Sequence, residues 1–149
     1  MKYQWSLAPP QPALAILFMI GQSFVMLTLT LLASTRLPAM TSGIVVLILF
    51  GFAWIGGIAR AIGTALEAET VRNVGYISSL ILPTDGLWRG TLYYLQPSLL
   101  AEAISTNRAF AANPFFAHEP PDAAYLLWAT AWTAAVLGLA VRSFQRREL

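Results

Sequence analysis

ALAILFMIGQSFVMLTLTLLAST, residues 13–35, stands before a single arginine, Arg36, and LPAMTSGIVVLILFGFAWIGGIA, residues 37–59, before another, Arg60. Neither run holds a charge, and each exceeds the ~20 apolar residues that carry a helix across a bilayer. In lipid only a helix satisfies its own backbone, so both runs read as transmembrane helices. Pro38 stands just past the first arginine, where it ends one helix and opens the next in a tight turn. Residues 13–62 therefore form a transmembrane helical hairpin. A third uncharged run, residues 123–141, lies between Asp122 and Arg142 and reads as the last span, over 123–142.

The whole composition agrees. Of 149 residues, 57% are apolar and 11% charged, with a mean hydropathy of +0.63. A soluble domain carries about 25% charged residues, too many more for this chain to be one. The first run is longer than the roughly 7–15 residues of a signal-peptide core, so it reads as a retained span. Residues 1–12 form an interfacial lead-in, with Tyr3 and Trp5 at headgroup depth.

Residues 63–122 differ in kind. They hold every acidic residue except Glu148, and two half-bilayer apolar pieces, 73–84 and 90–101, flank Pro83-Thr84-Asp85-Gly86-Leu87-Trp88-Arg89. One straight span here would bury Asp85 and Arg89 behind a proline, so two short interfacial or re-entrant helices fit better. Asp85 reads as an N-cap with Arg89 as its i,i+4 neighbour: an exposed cap and a mild helix pair, or an outer gate or docking point. Residues 105–121, broken by Asn-Pro and Pro-Pro, read as loop, with His118 exposed in it. The fold class is all-α integral membrane, three spans plus two short helices.

Arg142, Arg146 and Arg147 follow the last span directly, which puts the basic tail, residues 143–149, in the cytoplasm. Odd span number then places the Arg36 turn inside and residues 63–122 outside. Spans associate through small and polar residues. Ala53, Gly57 and Ala61 recur at four-residue spacing on the second, and Thr130, Ala134 and Gly138 on the third. These are the packing faces, toward each other or toward another chain. Gln22, Ser23, Thr28 and Thr30 are the polar residues of the first span and read as interhelical glue. Tyr125, Trp128 and Trp132 read as an interfacial aromatic belt.

Catalytic chemistry is poorly provided for. Lys2 is the only lysine, so a phosphate-binding loop ending in Gly-Lys-Ser/Thr cannot be built. His118 is the only histidine and cysteine is absent, which removes the usual zinc sets and cysteine nucleophiles, and no Gly-x-Ser-x-Gly elbow is present for a serine that would use His118 as its base. The arginines are scattered rather than banked on one face, so no nucleic-acid partner is expected. The reading is a non-enzymatic membrane subunit with no cofactor and no metal.

Four stretches together resemble a known pattern. They are Ser34-Thr35-Arg36-Leu37-Pro38-Ala39, Leu82-Pro83-Thr84-Asp85-Gly86-Leu87-Trp88-Arg89, Asn113-Pro114-Phe115-Phe116, and the ending Phe144-Gln145-Arg146-Arg147-Glu148-Leu149. In this order, between three spans, they resemble the C-terminal half of an exporter-like (type-2) ABC transporter permease of bacteria. The resemblance implies that these spans are the fourth to sixth of six, with short helices dipping into the outer leaflet before the last. It also implies a multi-pass protein of the bacterial cytoplasmic membrane, C-terminus inside. Partners would be an ATP-binding subunit, a second permease chain and membrane lipid, with Arg36 in the cytoplasmic turn. A chain with these three spans alone would be one half of a split permease or a truncated remnant. A non-transporting structural or regulatory membrane protein is the rival reading.

Overall fold

The computed structural model describes residues 9, 11–97, 100, 102, 113, 115–117 and 119–146. Among the described residues there is no strand, and five helices have defined bounds: α1 (Pro12–Ser34), α2 (Ala39–Ala65), α3 (Glu69–Ile81), α4 (Thr84–Leu95) and α5 (Ala123–Gln145). Helices α1, α2 and α5 are long and apolar enough to cross a membrane, the mark of a multi-pass membrane protein. The lead-in with Tyr3 and Trp5, His118, Arg147 and most of the 105–121 loop lie outside the described residues.

Pro38 stands at the N-cap of α2, its carbonyl accepting from the Ser42 N–H at 2.9 Å. Helix α2 then continues through Arg60 to Ala65, three residues beyond the expected end of the hairpin at 62, because its end is set by a backbone motif rather than by the charge. The Ala68 N–H donates to Gly63 O (2.9 Å) and the Glu67 N–H to Thr64 O (3.4 Å). This paired closure turns the chain through a left-handed residue, a place usually given to glycine. Here Glu67 holds it, with φ 53°. The chain reverses at once into α3.

Helix α3 runs back antiparallel along α2. Gly63 lies against Arg72, and seven residues earlier Gly56 lies against Ser78. Leu82 is extended (φ −133°, ψ 106°), as the residue before a proline prefers, and Thr84 N–H closes a three-residue turn on Leu82 O at 2.8 Å. Helix α4 then returns along α1, with Leu87 near Gly21 and both Gly90 and Tyr94 on the ring of Phe18. Both open ends of the α3–α4 hairpin thus lie where α1 begins and α2 ends. Its tip lies ten or so residues along each, about 15 Å at the helical rise.

The two short helices occupy 69–81 and 84–95, each beginning before the apolar piece, 73–84 or 90–101, that marked it in the sequence. The break falls on Leu82 and Pro83, and Thr84 to Arg89 belong to α4. At the opposite end Ser143 Oγ donates to Thr35 Oγ1 at 2.9 Å, which ties the end of α5 to the end of α1. The Arg36 turn and Arg142 and Arg146 therefore share one end of the bundle.

The packing is inverted relative to a water-soluble protein. Thr28, Thr35, Ser42, Ser79 and Thr91 are buried, while Leu47, Phe52 and Leu127 are about two-thirds or more exposed (67%, 66% and 73%). Small residues let helices approach in lipid, where large apolar side chains lose nothing by facing outward. The buried apolar cluster is correspondingly slight: Val25, Ala53, Leu82 and Leu87, backed by Phe18, Leu29, Leu126 and Trp132.

Candidate functional site: an ion pair at the hairpin tip

Helix α4 begins at Thr84, so Asp85 sits in its first turn, two residues past the cap position that Pro83 takes. It is not an N-cap, but the helix dipole still favours a carboxylate there. One turn on, Arg89 Nε donates to Asp85 Oδ2 at 2.9 Å, and Arg89 Nη2 donates to the carbonyl of Gly57 in α2 at 2.8 Å. The Asp85 side chain is 5% exposed and that of Arg89 19%. The exposed, mild pair expected from spacing is a buried one, because the hairpin carries it between α1 and α2.

Gly57 makes this possible. A Cβ at that position would fall on the Asp85 carboxylate. Gly56 plays the same part for Ser78, and Ala53 and Ala61, 3% and 8% exposed, extend the groove along α2. The Ala53–Gly57–Ala61 stripe is therefore a packing face, and its occupant is the chain's own hairpin rather than the last span. The second stripe behaves otherwise. Thr130 and Ala134 are exposed and Gly138 has nothing within reach of a Cβ. The buried face of α5 is Ala129, Thr133, Val136 and Ala140, one position round the helix.

Two of the aromatic residues expected to form a belt on α5 also bond to the hairpin. Tyr125 Oη accepts from the N–H of Gly86 at 3.1 Å, and Trp128 Nε1 donates to Leu80 O at 3.2 Å. One bond reaches each arm of the hairpin, so α5 clasps its tip. The Tyr125 ring lies where a Gly86 Cβ would be. Three of the four polar residues of α1 bond within their own helix: Ser23, Thr28 and Thr30 donate to the carbonyls of Met19, Val25 and Met26.

No family model, curated protein or solved structure matches this chain. The site must be read from its own geometry. Toward the open end of the hairpin, the Arg60 guanidinium lies 4.0 Å over the ring of Tyr76 and also donates to its Oη at 3.2 Å. Among the described residues no group of three or more His, Asp or Glu could hold a metal ion.

Sequence reasoning singled out Gly57, Asp85 and Arg89 but not their meeting, and it missed Gly86, Tyr125 and Trp128 as partners. A signal was present: Gly86-Leu-Trp-Arg-Gly90 has the small-xxx-small spacing of a close helix contact. A buried charge pair of this kind holds position strongly, since removing one partner leaves the other charge desolvated at a cost of about 3–5 kcal/mol. The arrangement is a latch: two charges, one main-chain carbonyl and one tyrosine hold a half-length hairpin inside a bundle.

Proposed function

We propose that this chain is the membrane-spanning, non-catalytic half of a permease in an exporter-like ABC transporter, working with a separate ATP-binding subunit and a second permease chain. The observation that carries this reading is the latched hairpin between the second and third long helices. A pair of short helices that enters from one end of the bundle and returns to that end suits a re-entrant cap in one leaflet. Irregular backbone at its Leu82–Pro83 tip is tolerable there only because protein surrounds it.

In this reading the chain lies in a bacterial cytoplasmic membrane with its C-terminus and the Arg36 turn inside, and the hairpin opens to the outer face. The shared location of Arg36, Arg142 and Arg146 supports that orientation, since arginine concentrates on the cytoplasmic side. ATP-driven closure of the partner subunits would rock the permease halves, and the hairpin would move with α2 as the outer cap of the path. The Asp85–Arg89–Gly57 contacts fasten cap to span, so that movement of one is transmitted to the other.

The test is affinity purification of the tagged full chain from its native membrane in mild detergent, with companions identified by mass. An ATP-binding subunit and a second permease polypeptide are expected. Recovery of the chain alone would overturn the transporter reading in favour of a structural or regulatory membrane protein or a permease remnant. Orientation is tested separately with Glu69→Cys, which replaces a side chain 82% exposed at the start of α3. An impermeant thiol reagent should label it in intact cells.

A further inference from the structure

Beside the latch a cleft of about 140 Å³ opens between α1, α2 and α4, lined by Gln22, Phe50, Trp54, Thr84, Asp85 and Trp88. We propose that this cleft binds the ammonium group of an amphiphilic amine. The inference does not rest on the transporter reading. It rests on what the walls offer and what they lack.

Three of the six lining residues are aromatic, and ring faces attract cations, the indole of tryptophan most strongly. A fourth is Asp85, whose carboxylate keeps its ion pair with Arg89. The remaining two are polar and unused. Neither the amide of Gln22 nor the hydroxyl of Thr84 has a hydrogen-bond partner among the described residues, although Thr84 is only 2% exposed. Inside an apolar bundle such groups cost free energy unless something binds them.

An ammonium group answers all of these features together. It places a cation against the rings of Trp54, Trp88 and Phe50, and its N–H groups donate to the Gln22 and Thr84 side-chain oxygens beside the Asp85 carboxylate. An anion would meet the carboxylate and the negative ring faces. A purely apolar guest would leave Gln22 and Thr84 unsatisfied. The volume compares with the roughly 150 Å³ cavity that accepts one benzene, so the cleft takes a head group of a few heavy atoms. Trp54, 43% exposed, forms a lipid-facing rim along which an alkyl tail can leave.

The experiment uses the full chain in nanodiscs of phosphatidylcholine and phosphatidylglycerol with a photoreactive decylamine, the labelled peptides being mapped by mass. Saturable labelling of the peptides that carry Gln22, Phe50 to Trp54, and Trp88 is expected. Unlabelled decylammonium should compete, and decanol and decanoate should not. Gln22→Leu and Thr84→Val should each lower labelling about tenfold, the worth of one charge-assisted hydrogen bond, with helix content unchanged by circular dichroism. Gln22→Leu lies away from the latch and keeps the test valid if Thr84→Val fails to fold. Equal competition by decanol, labelling spread without saturation over the lipid-facing helices, or unaltered labelling in a folded Gln22→Leu would overturn the proposal. Adding phosphatidylethanolamine to the bilayer separates the sources: competition assigns the site to a lipid head group, and its absence to a free amphiphile, the ammonium site standing in both cases.

Discussion

Two stripes of small residues at four-residue spacing look alike in the sequence, Ala53–Gly57–Ala61 on α2 and Thr130–Ala134–Gly138 on α5. In the structure the first is buried under the hairpin and the second faces outward. The difference lies in what each can dock. Gly57 meets a side chain that brings a charge and needs room, and Gly56 meets Ser78. Gly138 meets nothing. A small-residue face permits close approach, but only a partner with its own reason to come, here the Asp85–Arg89 pair seeking the carbonyl of Gly57, turns the permission into packing.

The contrast can be broken most severely at the charge. Arg89→Met should destabilise the folded chain by about 3–5 kcal/mol, since Asp85 would be left buried and unpaired. Reversible denaturation in mixed micelles measures it. The double variant Asp85→Asn with Arg89→Met should recover much of that loss, and additive losses would show that the two residues do not act as a pair.

Next in size is the seat itself. Gly57→Leu should cost roughly 1–3 kcal/mol through overpacking against the Asp85 carboxylate, whereas Phe52→Leu, on the exposed side of the same helix, should cost far less. Equal costs would remove the seat from the explanation. Tyr125→Phe deletes the hydroxyl that receives the Gly86 N–H and should cost about 1 kcal/mol, with little change in helix content. The smallest effect sharpens the comparison from the other side. Gly138→Leu should leave the stability of the isolated chain within about 0.5 kcal/mol, as for any substitution away from a packed feature. A loss as large as that of Gly57→Leu would mean that the α5 stripe is covered by another chain in the sample.

Much of this was legible. Three uncharged runs of about twenty residues can be little else in lipid, and Pro38 marked the first turn because its ring cannot continue a helix. The far end of α2 was not legible. The uncharged run stops at Arg60 and the hairpin was expected to end at 62, whereas a glutamate in the left-handed conformation, Glu67, closes the helix beyond both, and no glycine announced it. The candidate pair was visible as i,i+4 spacing within one helix. Its burial was not, because burial depends on where α3 and α4 sit against α1 and α2, which lie up to about seventy residues away in the chain.

By itself, then, the sequence determined the long helices, their number, the break at Pro83 and the closeness of Asp85 to Arg89. These follow from local causes: hydropathy over a bilayer length, the missing N–H of proline, and the helical repeat. Only the tertiary structure decided which small-residue stripe is filled, that Tyr125 and Trp128 clasp the hairpin, and that a charged pair lies inside the bundle. Those outcomes turn on contacts between distant segments. In lipid such contacts are selected by fit and hydrogen bonding, because hydrophobicity draws no helix toward another there.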